Sequence, residues 1–380
     1  MTNQTLYQKA VDSRIWVVKI GSAMLTDHGR TIDRVLINQL ANQIAVLRKA
    51  GKQVILVSSG AIAVGLQKLG WEKKPGELAK QQAAAAVGQM TLARVYEEIF
   101  VNYNIQTAQV LLTHDDASDR KRYLNIKSTV GALLEHHILP IVNENDTTSF
   151  DEIKFGDNDN LGALVANLVH AGLYVILTDQ AGLYTADPRS YPDAELVRFD
   201  FANNPNLDDY VGSSKSTLGS GGMLTKIQAA RKAMNSGTTT VIMHGQRENG
   251  ITGLLSGEFV GTMLFAGQQV RAKKQWLAGQ LQTRGVIVID KGAEKALLKQ
   301  GKSLLAVGIA AVSGKFSRGE IISVQNIEGA EIAKGISNYD SRAINKIKGI
   351  SSENIESTLG YVIEKHIIHR DNLALTGGAG

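Results

Sequence analysis

Two lysines far apart in the chain stand where an anion would stabilise them. Lys19 closes the apolar run IWVVKI just before Gly21-Ser22. A charge at the end of a buried strand is costly without an anionic partner, unless the side chain snorkels to solvent. Lys226 falls in the first turn of a helical pattern, after the loop Gly219-Ser220-Gly221-Gly222. Glycines let the backbone approach a phosphate and free N–H groups at a helix start attract anions, though a plain surface loop reads the same way. Taken together, these residues describe a nucleotide clamp.

The acidic and amide residues form two knots. GDNDN, Gly156 to Asn160, opens a helical stretch, and Asn143-Glu144-Asn145-Asp146 directly follows an apolar strand. One Asp or Asn suffices for an N-cap or a turn, so two dense clusters exceed what local structure needs. A carboxylate such as Asp159 between two lysines would hold both side chains in place.

Other chemistries have less support. The phosphate loop G-x-x-x-x-G-K-[ST] is absent. Gly301-Lys302-Ser303 copies only its end and reads as a helix C-cap at Gly301. His136-His137 and the pair His366 and His369 lack a matching carboxylate cluster and read as structural. The chain has no cysteine, which excludes disulfides, thiolate metal sites and thiol nucleophiles. No residue set with metal-ligand spacing emerges.

The elements that must carry these residues alternate between short apolar runs and helical patterns over the first 265 residues or so. Strands are expected at 15–20, 54–57, 108–112, 138–142, 174–177 and 240–243, and helices at 32–49, 77–102, 119–135, 158–169 and 223–235. Such alternation predicts an α/β fold, a three-layer α/β/α sandwich around a mostly parallel sheet. Ligands then bind beyond the carboxyl ends of the strands, where GSAML, SSGAI, NENDTT and TDQAGLYTADP all fall.

After Gly267 the pattern changes. The reading is a domain over 1–267, a basic linker at 268–275, a small β-rich domain over 276–372 and a flexible tail at 373–380. With 380 residues, 43% apolar and net charge +5, the chain has an ordinary globular balance and no strong pull towards nucleic acid or membrane. The polar start, MTNQTLYQKAVDSR, has no apolar signal segment and no run nears 18 apolar residues, so a cytoplasmic location is expected.

VVKIGSAML, ILVSSGAIAVG, PIVNENDTTS, IKFGDNDNLGALVA, LTDQAGLYTADPRS and GSGGMLTKIQAA, in this order and spacing, resemble the amino-acid kinase fold of the glutamate 5-kinases. KFSRGEII and AKGISNYDS are similar to the PUA domain that many bacterial members append. The resemblance implies ATP-dependent phosphorylation of the γ-carboxylate of L-glutamate, the first step towards proline. Lys19 would contact the ATP phosphates; Ser59, Asp146 and Asn158 would hold glutamate. Thr178 and Asp179 would contact the nucleotide, with Ser220, Gly221, Gly222, Met223, Leu224, Thr225 and Lys226 as the second phosphate-binding segment. Asp159 would organise the lysines, and Lys19, Asp159 and Lys226 form the catalytic set. Ala23 stands where the family often has Ser or Thr, and Ser220 where it often has Thr; neither change removes a charge.

The resemblance also implies Mg²⁺, a homo-oligomer (dimer or tetramer), inhibition by proline and a link to glutamyl phosphate reductase. The alternatives are a kinase of the same fold acting on aspartate, N-acetylglutamate, carbamate or UMP, or a non-catalytic RNA-binding protein acting through the PUA-like domain. That domain is only weakly basic and shows no aromatic cluster for base stacking, so nucleic acid is disfavoured.

Overall fold

A computed structural model describes residues 2–27, 31–113, 115–116, 119–148, 158–211, 222–267 and 283–376. Their contacts divide into two units, Met1–Ser118 with Thr129–Gln269, and Asp119–Ser128 with Val270–Gly380.

The first unit is built on an eight-stranded sheet. β1 (Ile15–Ile20) is followed by a short ribbon of β2 (Thr26–Asp27) and β3 (Thr31–Ile32) outside the sheet. β4 (Gln53–Val57), β5 (Thr107–Leu112), β6 (Leu139–Glu144), β7 (Leu173–Thr178), β8 (Phe199–Phe201), β9 (Thr239–His244) and β10 (Thr262–Phe265) complete it. The spatial order is β5-β6-β4-β1-β7-β9-β10-β8. Every neighbouring pair is parallel except β9 with β10. The expected mostly parallel sheet is therefore present, extended by β8 and β10, which the sequence pattern did not suggest.

Side chains alternate across a strand, and β1 shows what this does. Trp16, Val18 and Ile20 enter a core cluster with Leu36, Leu40 and Ile44 of the helix Arg34–Lys49 and Leu92, Tyr96 and Phe100 of the helix Leu78–Phe100. Val17 and Lys19 face the other way, towards the layer that holds the helix Asn158–Val169, which packs against β1. The helix expected from residue 32 begins at Arg34 because Asp33 caps it, accepting from the Leu36 N–H at 2.9 Å.

The second unit has its own five-stranded sheet, β11 (Val286–Ile289), β12 (Ile309–Ser313), β13 (Ile321–Gln325), β14 (Glu331–Ile336) and β15 (Leu373–Leu375), in the order β12-β11-β13-β14-β15. Gly301 ends the helix Lys291–Gln300 in the left-handed conformation, as its sequence suggested. The flexible tail expected from 373 is corrected: Leu373 and Ala374 are buried and pair with β14. Residues 119–128, read as part of the first domain, cluster with this unit, where Leu124 is buried with Ile336 and Ala374. The expected linker at 268–275 lies outside the described residues, as do 276–282 and 377–380. Among the described residues, no helix is long and apolar enough to cross a membrane.

Candidate active site

β4, β1 and β7 lie side by side at the centre of the sheet, and their carboxyl ends border one cleft of about 320 Å³. Lys19 enters it from β1, Ser59 from the turn after β4, and Thr178 and Asp179 from the end of β7. Asn158 comes from a helix start, and Gly222, Met223 and Lys226 from the first turn of the helix Met223–Met234. Segments from opposite ends of the first unit thus converge on one point.

The centre of that point is Asp159, 1% exposed. Lys19 Nζ lies 2.5 Å from its Oδ1 and Lys226 Nζ 3.0 Å from its Oδ2. Thr225 Oγ1 adds a donor to Oδ2 at 3.2 Å. Both lysines are themselves buried, at 5% and 4% exposure. Burial alone would push the Asp159 carboxyl up, but the two ammonium groups beside it hold it below the ordinary carboxylate range. The triad carries two positive charges against one negative, so it keeps a net positive charge beside the cleft. Tyr174 on β7 donates to the Asp159 backbone carbonyl at 2.8 Å and anchors the carboxylate.

Backbone groups add to this field. Neither the helix Ala61–Lys68 nor the helix Met223–Met234 has a side-chain N-cap, since Gly60 and Gly222 occupy those positions. Their first N–H groups stay available to an anion. Gly60 holds φ at +84°, which lets the chain turn from β4 into the helix. Ser59 Oγ donates to the Ile20 carbonyl at 2.8 Å and ties that turn to β1.

A second pocket of about 510 Å³ shares Gln180, Gly222 and Met223 with the cleft. Tyr184, Pro188 and Tyr210 give it apolar surface, and Arg189 is held by both oxygens of Asp187 at 3.0 and 2.9 Å. Positive charge next to a partly aromatic pocket suits a nucleotide. Sequence reasoning assigned no role to Tyr184, Arg189 or Tyr210; Tyr210 sits in the short helix Asn206–Val211, whose pattern carries no ligand signal.

Lys19, Ser59, Asn158, Asp159, Thr178, Asp179, Gly222, Met223, Thr225 and Lys226 are thus brought together around the cleft. Asp159 and Thr225 stand behind the lining through their bonds to Lys19, Lys226 and each other, while two further expected residues, Asp146 and Leu224, do not line the cleft. Asp146 is half-buried in the turn after β6, and the Leu224 side chain is 44% exposed. Ser220 and Gly221 lie outside the described residues.

Residues 14–244 match the amino acid kinase family and residues 285–359 the PUA domain. The chain is 54% identical to the glutamate 5-kinase of Paraburkholderia xenovorans over 365 residues, covering 96% of this chain and 98% of that protein. It is 51% identical to the glutamate 5-kinase of Methylobacillus flagellatus over 366 residues, again covering 96% and 98%. A parallel sheet with a lysine-lined cleft at its carboxyl edge and a matching sequence along almost the whole length lead to one conclusion: the chain belongs to the amino acid kinase family, among its PUA-bearing glutamate 5-kinases.

Proposed function

We infer that this chain transfers the γ-phosphoryl group of ATP to the γ-carboxylate of L-glutamate, giving L-glutamyl 5-phosphate and ADP. The observation that carries the reading is the Asp159 carboxylate holding Lys19 and Lys226 at the rim of one cleft. A glutamate side chain of pKa about 4.3 is more than about 99% ionised at neutral pH, so the nucleophile arrives deprotonated and needs no general base. The difficulty is charge: two like unit charges 4 Å apart repel by about 4 kcal/mol at an effective dielectric near 20. Lys19 and Lys226 offset this by gripping the β- and γ-phosphates, and Asp159 keeps both ammonium groups aimed. The acceptor oxygen attacks the γ-phosphorus in line while the bond to the β–γ bridging oxygen breaks, and ADP departs with that electron pair.

Ser59 and Asn158 border the acceptor side, with Asp146 completing it from the turn after β6. Thr178, Asp179 and the segment 220–226 serve the nucleotide. Mg²⁺ enters as part of the substrate MgATP, with phosphates and water supplying most of its ligands. Inhibition by proline, a homo-oligomeric state and hand-over to glutamyl phosphate reductase belong to the same reading through the resemblance, and a cytoplasmic location goes with them.

The test is ADP release by the purified chain with glutamate, aspartate, N-acetylglutamate, carbamate and UMP as acceptors. Glutamate should support turnover far above the rest. Turnover with another acceptor in its place would overturn the assignment.

A further inference from the structure

The helix Leu78–Phe100 touches the acceptor side of the cleft from behind through a closed chain of hydrogen bonds. Asn158, which lines the cleft, donates from Nδ2 to the Ser58 carbonyl at 2.6 Å and to Asn143 Oδ1 at 3.0 Å. A carbonyl only accepts, so the atom facing Ser58 must be the amide nitrogen. Asn143 Oδ1 also receives the Glu144 N–H at 2.9 Å, which fixes that amide too and turns its Nδ2 to Gln89 Oε1 at 2.8 Å. On the other side, the Ser58 hydroxyl meets the Tyr96 hydroxyl at 2.9 Å. The chain of bonds leaves the helix at Gln89 and returns to it at Tyr96, two turns on.

The helix itself is locked. A Cβ at Gly88 would lie 1.8 Å from the Ala61 carbonyl oxygen, and one at Gly65 would lie 1.7 Å from that of Ala84. The helices Ala61–Lys68 and Leu78–Phe100 therefore touch backbone to backbone, and Gln89 and Tyr96 have little freedom to drift.

The geometry points to Gln89 and Tyr96 as positioning residues that hold Asn143 and Ser58, and through them the aim of the Asn158 amide. Both Asn158 amide protons are spent on Ser58 and Asn143, so what Asn158 offers a ligand is Oδ1, an acceptor. An acceptor suits the α-ammonium group of an amino acid and gives nothing to an analogue that lacks it. Without Gln89, Asn143 keeps only the Glu144 N–H, apart from Asn158 itself, to hold its amide. The Asn158 amide, still bonded to the Ser58 carbonyl, loses the rigidity of its second acceptor, so Oδ1 is aimed less tightly. This inference rests on glutamate being the acceptor substrate, and deepens that reading by assigning recognition of its ammonium group.

The test compares wild type, Gln89→Met and Tyr96→Phe, using glutamate and its deaminated analogue glutarate as acceptors. Gln89→Met keeps the side chain's length and removes the oxygen. It should raise KM for glutamate about tenfold, the scale of one hydrogen bond to a charged group, and narrow the preference for glutamate over glutarate by a similar factor. KM for ATP and kcat should stay within about twofold of wild type. Tyr96→Phe removes one oxygen, should move the same two quantities less, and serves if the first variant does not fold. An unchanged glutamate-to-glutarate preference in a folded variant overturns the inference, as does an equal loss for both nucleotide and acceptor. If wild type itself does not turn over glutamate, the functional reading fails instead.

Discussion

Lys19 and Lys226, from opposite ends of the first unit, meet on the two oxygens of a single carboxylate, at 2.5 Å from Oδ1 and 3.0 Å from Oδ2 of Asp159. The carboxylate is 1% exposed, and the proposed reaction gives it the task of holding the lysines. Asp159→Asn keeps the shape and removes the charge. Two buried ammonium groups would then face each other without a counter-ion, and loss of one partner from a buried ion pair costs about 3–5 kcal/mol. Urea denaturation should register a loss of that order, together with a fall in kcat of at least about a hundredfold. A variant with wild-type stability and turnover would show that the carboxylate organises nothing.

Lys226→Ala should separate chemistry from folding. It leaves Asp159 paired with Lys19, so the core keeps a neutral ion pair while the cleft loses one of its two positive charges. Turnover should fall by roughly 10²–10³, the usual cost of removing one preorganised group that meets developing charge. The far-UV spectrum should not change. A kcat near that of wild type would remove Lys226 from the phosphoryl-transfer step.

The parts of this site that were legible in the sequence are those where a residue is out of keeping with its element. Lys19 interrupts an apolar strand, and Asp159 and Lys226 stand at the openings of two helices. Gln89 and Tyr96 gave no such sign, because in an Ala-rich helix a glutamine reads as solvent-facing and a tyrosine as core packing. Their roles follow from Asn143 and Ser58, which chain order does not bring near them. The six strands read from the pattern are short apolar runs in the parallel part of the sheet. β8 has only three residues and β10 only four, too few for any periodicity, and both lie beyond β9 at the sheet's edge.

Asp146→Ala should raise the apparent KM for glutamate with kcat and KM for ATP little changed. The residue lies in the turn just after β6, the strand that carries Asn143, whose amide bonds to Asn158 in the cleft. An unchanged KM would take Asp146 out of the acceptor side altogether.

Stability should depend on acid pH through Asp159 in a definite direction. Its carboxyl is held below the ordinary value of 3.8, so the folded state favours the charged form. That contribution is complete above pH 3.8 and is lost as pH falls through the lower value of the folded protein. The stability gap between wild type and Asp159→Asn should therefore be constant from neutral pH to about pH 4 and narrow below it. Measured by urea titration at several pH values, a gap that stays constant at lower pH would contradict the ion-pair assignment. The acid limb of kcat/KM has a different origin. It should follow the free substrate carboxylate near about pH 4.3, since Asp159 is still ionised there.

Gly88→Ala tests the backbone contact that seats the acceptor side. An added methyl would sit 1.8 Å from the Ala61 carbonyl oxygen and 2.6 Å from the Gly65 nitrogen. These are main-chain atoms of a helix and cannot swing aside as a side chain can, so the two helices must separate. Overpacking of this kind costs about 1–3 kcal/mol, which should appear as a lower thermal midpoint. Ala61 follows Ser59-Gly60, and Ser59 borders the cleft, so the displacement should carry into substrate binding. KM for glutamate should rise more than KM for ATP, because Lys19 and Lys226 belong to other elements. A midpoint and KM both equal to those of wild type would mean that the helices have room the structure does not give them.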